Sequence, residues 1–145
     1  MMEAAREGVE AAAADVGSRP DVIAVTVLTS IDETILNGEC GVPGPVESQV
    51  LSLAKLTEAA GLDGIVCSAA DLGALTGQFR PAFLFVTPGI KGTTTPAGAD
   101  QKRVLSPGRA VSAGSSVLVV GRAVTGAPDR RAAAREVLKD IAGVL

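Results

Sequence analysis

Apolar and polar positions follow two alternating patterns along this chain: stretches with helical spacing, and short, nearly continuous apolar runs. Residues 2–16 have the spacing of an Ala-rich helix, stopped by Gly17-Ser18-Arg19-Pro20. The run from Val22 to Leu28 then predicts a strand buried on both faces. A Gly- and Pro-rich loop from Asn37 to Pro45 leads into a helix at about 45–60, with Pro45 in its first turn and Gly61 at its end. Gly64 to Cys67 is the next strand, and Ala69 to Thr76 a short helix ended by Gly77. Phe83 to Val86 is the third strand. After it, Thr87 to Leu105 is a long polar loop with three consecutive threonines. Ser106-Pro107 has N-cap and N1 chemistry for a helix that Gly114 closes. Val117 to Val120 is the fourth strand, and a helix from Asp129 to Val144 ends the chain.

Four buried strands, each followed by a helix, predict an α/β fold with a parallel sheet and right-handed crossovers. No G-x-G-x-x-G follows the first strand, so the dinucleotide fingerprint is absent. The polar residues gather where strands end and loops begin: Thr29-Ser30, Cys67-Ser68, Thr87 and Gly121-Arg122. That is where a (β/α)8 barrel carries its ligand groups. A full barrel has eight strands, and this chain supplies four. The expectation is half a barrel, as a single partial domain spanning residues 1–145.

Composition narrows the chemistry. Of 145 residues, 24 are Ala and 18 Val, while three Phe are the whole aromatic content, so elements must pack through small and β-branched side chains. There is no histidine, which removes Ser-His-Asp and Cys-His triads, imidazole zinc sites and a histidine base. A net charge of −3 gives no electrostatic reason to expect nucleic acid or an anionic membrane as partner. Cys40 and Cys67 form no C-x-x-C, and two unpaired thiols suit a reducing cytoplasm. No apolar run approaches the roughly 18 residues of a membrane span. The N-terminus lacks the basic-then-apolar order of a signal peptide.

The strand-end segments, taken in order, resemble the C-terminal half of orotidine 5′-phosphate decarboxylase. They are Val25-Thr26-Val27-Leu28-Thr29-Ser30, Gly61-Leu62-Asp63-Gly64-Ile65-Val66-Cys67-Ser68-Ala69, Val86-Thr87-Pro88-Gly89-Ile90, Asp100-Gln101-Lys102-Arg103-Val104 and Val119-Val120-Gly121-Arg122. Each alone is weak, but five in order across almost the whole chain are specific. The resemblance implies a TIM-barrel lyase that converts orotidine 5′-phosphate to uridine 5′-phosphate in pyrimidine biosynthesis, with no metal and no organic cofactor. It makes Arg122, Gly121 and Gln101 phosphate contacts, Gln101 acting from a lid. Lys91 stands where the family usually has arginine, which keeps the charge and loses the planar fork. Thr29 and Ser30 would face the pyrimidine ring, although Ser30-Ile31-Asp32-Glu33 also fits a capping box for the next helix. Cys67 and Ser68 read as packing and a local cap, and Arg130, Arg131 and Arg135 as a solvated helix face.

The family's catalytic signature, Asp-x-Lys-x-x-Asp, occurs nowhere in the chain, and Lys55 and Lys139 fall mid-helix. No catalytic residue is therefore assigned. Met1-Met2-Glu3-Ala4-Ala5 resembles a stretch before the family's fifth strand, so Met1 reads as an internal methionine and the chain as a truncated product lacking the N-terminal half. Two rival expectations remain: a phosphate-binding half-barrel without catalysis, and a structural half that completes a barrel with a separate N-terminal partner. Because half a barrel leaves two sheet edges open, the chain is expected to form a homodimer or to pair with such a half.

Overall fold

The computed structural model describes residues 1–92 and 105–145. Among them, four strands form one sheet in the order β1-β2-β3-β4: β1 (Ile23–Val25), β2 (Gly64–Val66), β3 (Leu84–Thr87) and β4 (Val117–Leu118). Every neighbouring pair is parallel. The helices are α1 (Met2–Val16), α2 (Glu33–Gly38), α3 (Val46–Ala59), α4 (Leu72–Leu75), α5 (Pro107–Ser112), α6 (Arg122–Thr125) and α7 (Arg130–Ala142), with a 3₁₀ turn at Ala69–Asp71. Gly17 and Pro107 act as the sequence implies, whereas Pro45 is the extended N-cap of α3 rather than part of its first turn. Gly17 ends α1 in a left-handed conformation (φ 71°), and Pro107 opens α5 behind a Ser106 cap.

The register fixes what each face of the sheet touches. Val25, Val66, Val86 and Val117 are aligned across the four strands, and Ala24, Ile65 and Phe85 form the next row. Partners in register share a face, and successive residues alternate. Ile65 and Phe85 point into a core with Val50 and Ala54 of α3, Leu72 and Leu75 of α4, and Ala110 of α5. All three aromatic rings of the chain meet there: Phe79 stacks on Phe83 at 4.9 Å, and Phe85 stands edge-on to both. The two central strands approach so closely that a Cβ on Gly64 would lie 2.3 Å from the Leu84 carbonyl oxygen.

The opposite face is covered at its centre and open at both edges. Val86 is buried, whereas Val25 on β1 is 58% exposed, and Val117 and Val119 at β4 are 46% and 48% exposed. The expectation that the first strand is buried on both faces is thus wrong. The apolar run Val22–Leu28 is real, but ladder pairing continues only over Ile23–Val25, and no strand lies beyond it among the described residues. The fourth strand is likewise shorter than expected. α6 was not expected at all. A continuous apolar run reports how a strand can be buried, and burial itself depends on neighbours.

Candidate functional site

In a parallel sheet all strands deliver their C-terminal ends to one rim, and four of the chain's segments meet there. After β1 the chain turns tightly, Ile31 N donating to Leu28 O at 3.0 Å, with Thr29 and Ser30 at the turn's centre. Thr29 is half-buried and Ser30 exposed. The capping box expected from Ser30 does not form. α2 is capped instead by Asp32, whose Oδ1 accepts from Ile35 N at 3.0 Å. The carboxylate wins because it sits directly before the first helical residue and accepts from its third amide.

After β2, Cys67 is buried in the core, and Ser68 caps the 3₁₀ turn. The Ser68 hydroxyl accepts from Ala70 N, and Asp71 accepts from Ser68 N at 3.2 Å. Cys67 packs in the core and Ser68 caps the turn, as the sequence suggests. Thr87, at the end of β3, is fully buried, and its hydroxyl shares a hydrogen bond with Ser115. It joins β3 to the segment entering β4 and is turned away from solvent.

After β3, Lys91 is exposed. Ile90 bridges Leu105 in parallel, and Lys91 N donates to Leu105 O at 2.9 Å. The start of α5 is fixed by α7, where Asp140 Oδ2 accepts from Gly108 N at 2.7 Å. This support was invisible in the sequence, because a carboxylate 32 residues downstream carries no local signature. Gln101 lies outside the described residues.

After β4, Gly121 precedes α6 with φ −98° and ψ −106°, and among the described residues a Cβ there would meet nothing within 4 Å. Packing against the described residues therefore does not require glycine at 121. Arg122 follows as an exposed cation at the first position of α6. Arg130, Arg131 and Arg135 lie on the solvated face of α7, as expected. The same end of the sheet thus carries Thr29 and Ser30 after β1, Lys91 after β3, and Gly121 and Arg122 after β4, with β1 and β4 at opposite edges. Among the described residues, no cluster of three or more His, Cys, Asp or Glu side chains could hold a metal, and no helix is long and apolar enough to cross a membrane.

A parallel sheet flanked by helices, with its polar groups on the C-terminal rim, defines this molecule as half of a (β/α)8 barrel. The comparisons give the particular family. Residues 1–137 match the model of the orotidine 5′-phosphate decarboxylase / HUMPS family, and the chain belongs to it. It is 48% identical over 147 residues to the orotidine 5′-phosphate decarboxylase of Nitrosococcus oceani, and 47% identical over 144 residues to that of Rhodospirillum rubrum. These alignments take in 99% of this chain but only 60% and 58% of the two relatives. The crystal structure of the Lactobacillus acidophilus decarboxylase superposes with a TM-score of 0.78 at 37% identity, over 97% of this chain and 58% of that one. The Pyrococcus horikoshii enzyme, at 20% identity and a TM-score of 0.60, shares the fold. The chain spans somewhat more than half the length of the relatives it matches.

Proposed function

We propose that this chain carries the phosphate-gripping and base-facing part of an orotidine 5′-phosphate site, corresponding to the C-terminal half of the barrel. The observation that supports the reading is that Arg122, Lys91 and Gly121 follow β4 and β3 at the same C-terminal end of the sheet at which Thr29 and Ser30 follow β1. Arg122 would hold two phosphate oxygens through its planar fork, with the Gly121 and Arg122 amides close by. Lys91 would add charge without that directionality. Gln101, outside the described residues, would add a further phosphate contact. Thr29 and Ser30 would face the pyrimidine. Ser30 is relieved of the competing role as cap, because Asp32 takes it.

Decarboxylation itself would require groups this chain does not encode. Protonating the carbanion left by departing CO2 needs an ammonium donor beside the scissile carbon, and no Asp-x-Lys-x-x-Asp segment is present. Lys55 lies within α3, and Lys139 lies in the last turn of α7 rather than mid-helix. The open edges at β1 and β4 favour pairing, either with a second copy or with a separate N-terminal half. Two cysteines with no C-x-x-C spacing favour a reducing compartment such as the cytoplasm.

Titration of uridine 5′-phosphate and uridine against parent and variants tests the assignment. A charge-assisted hydrogen bond contributes about 1.5–3 kcal/mol, so Arg122→Ala should weaken nucleotide binding by about ten- to a hundredfold. Uridine should bind parent and variant equally. Arg122→Lys should recover part of the loss, and Arg131→Ala should change little. Equal nucleotide affinity in parent and Arg122→Ala would overturn the phosphate role, and CO2 release by the purified chain would overturn the catalytic one.

A further inference from the structure

We propose that Asp140, near the C-terminal end of α7, is a positioning residue for Lys91: by fastening the start of α5 it sets the Leu105 carbonyl that holds the Lys91 backbone at the C-terminal rim. This role rests on Lys91 being a phosphate contact, as proposed above, and supplies what keeps that cation in place.

Two hydrogen-bonded steps connect the pair. The Asp140 carboxylate accepts from Gly108 N at 2.7 Å, in the first turn of α5. Leu105, just before that helix, accepts at its carbonyl from Lys91 N at 2.9 Å. Neither step has slack. Among the described residues, α5 packs on α7 more extensively than on any other element. The two backbones are so close that a Cβ on Gly108 would lie 2.6 Å from Asp140 O. Leu105 packs against the core, and its bridge partner Ile90 is buried. Between the two steps, Ser106 is held as the N-cap of α5, and the ring of Pro107 fixes φ at the next residue. The segment from Leu105 to Gly108 therefore moves as one piece, and a displacement at Gly108 reaches Lys91.

The first turn of α5 shows what the carboxylate is for. A helix leaves its first amides without intrahelical partners, and these attract an anion. In α5 each of them is accounted for within the chain. Pro107 has no N–H, and Gly108 N goes to Asp140. Arg109 N goes to the Ser106 hydroxyl, and Ala110 N to Ser106 O. No amide here is left for a phosphate, so the anion at this helix end is the protein's own. The sign of the effect on a nucleotide then separates two accounts. Acting only through space, a carboxylate disfavours an anion, and removing it would tighten nucleotide binding. Acting as the fastening of Lys91, it favours the nucleotide, and removing it weakens binding.

Titration of the full chain with uridine 5′-phosphate and uridine, together with amide exchange of the ligand-free chain, tests this role. Lys91→Met is the reference and should weaken nucleotide binding by about tenfold. Asp140→Ala should weaken it by about threefold to tenfold, leave uridine unchanged, and lose nearly all of its effect in the Lys91→Met background. Asp140→Asn keeps an acceptor oxygen without the charge and should recover most of the affinity. Glu136→Gln removes an exposed carboxylate from the same helix and should change neither ligand. In the ligand-free chain, Asp140→Ala should speed exchange at the Lys91 amide as well as at Gly108. The Cys67 amide, bonded to Val86 O within the sheet, should not follow. Unchanged or tighter nucleotide binding in Asp140→Ala, an equal effect with and without Lys91, or an unchanged Lys91 amide would overturn the positioning role. A loss shared by uridine would mark general loosening and overturn it as well. If the parent binds no nucleotide, or Lys91→Met leaves its affinity unchanged, the phosphate reading of Lys91 fails and the positioning role falls with it.

Discussion

The two rims of the sheet are built on opposite plans. At the N-terminal rim, charge is spent on holding loops. The Asp63 carboxylate accepts from Val22 N at 2.7 Å and from Arg19 Nη1 at 2.9 Å, with Arg80 at 4.0 Å. Arg80 also donates to Leu62 O at 2.7 Å, and its own amide donates to Glu58 Oε1. One acidic group thereby ties the chain entering β1, the start of β2 and the loop before β3. At the C-terminal rim, Lys91 and Arg122 stand exposed, and no described residue crowds Gly121. Barrels divide their work in this way: one end holds the strands together, and the other is left for ligands.

The largest effect that separates the rims is expected at Asp63. Burial pushes its carboxyl pKa up, but the Val22 amide, the Arg19 hydrogen bond and charge, and Arg80 together hold it below the ordinary aspartate value. Asp63→Ala removes a charged acceptor and strands the Val22 amide, and should cost about 2 kcal/mol at neutral pH. The sign of the pH dependence follows from the lowered value. The contribution is fully present above the unfolded aspartate pKa of about 3.9, and is lost as pH falls through the lower folded value. Urea midpoints of parent and variant should therefore differ at pH 7 and converge in acid. A difference that persists unchanged to pH 2 would show that the carboxylate charge is not what holds this rim. Nucleotide affinity should not follow the change.

These two plans were not equally legible in the sequence. The parallel order was readable, because apolar runs alternate with helical stretches and glycine or proline marks each junction. The polar residues of the C-terminal rim were readable too, since they lie next to the strands in sequence. The stabilising rim was not. Asp63 finds Val22 and Arg19 at separations of 41 and 44 residues, and nothing near Asp63 signals either partner. The length and exposure of β1 were misread for a related reason. Val22 to Leu28 has strand composition throughout, but only a neighbouring strand can turn composition into burial.

A smaller effect is expected where the two plans meet, at Asp140. Its carboxylate accepts from Gly108 N in the first turn of α5, fixing the limb by which the long loop returns. Gly108 cannot easily carry a side chain, because a Cβ would lie 2.6 Å from Asp140 O. Asp140→Ala should lower stability by about 1 kcal/mol, as loss of a helix-capping acceptor does. It should also speed amide exchange at Gly108 while leaving Ala132 N, capped by Asp129 at the start of α7, unaffected. Equal acceleration at both amides would mean that α7 has loosened as a whole and that Asp140 is not a local fastening.

The smallest effect is the most discriminating, because it separates structure from ligand contact within a single turn. Ser30 and Asp32 are two residues apart, and both suit a helix cap by composition. Only Asp32 accepts from the helix, through Ile35 N. Asp32→Ala should therefore cost about 1 kcal/mol in urea unfolding. Ser30→Ala should stay within about 0.5 kcal/mol of the parent, as exposed substitutions away from caps usually do. If Ser30 faces the pyrimidine, its loss should appear in uridine titrations and not in stability, with the reverse for Asp32. Arg122→Ala gives the third pattern, changing the affinity of the nucleotide but not of the nucleoside. A stability loss at Ser30 as large as at Asp32 would return Ser30 to the capping role, and the base-facing side of the site would then rest on Thr29.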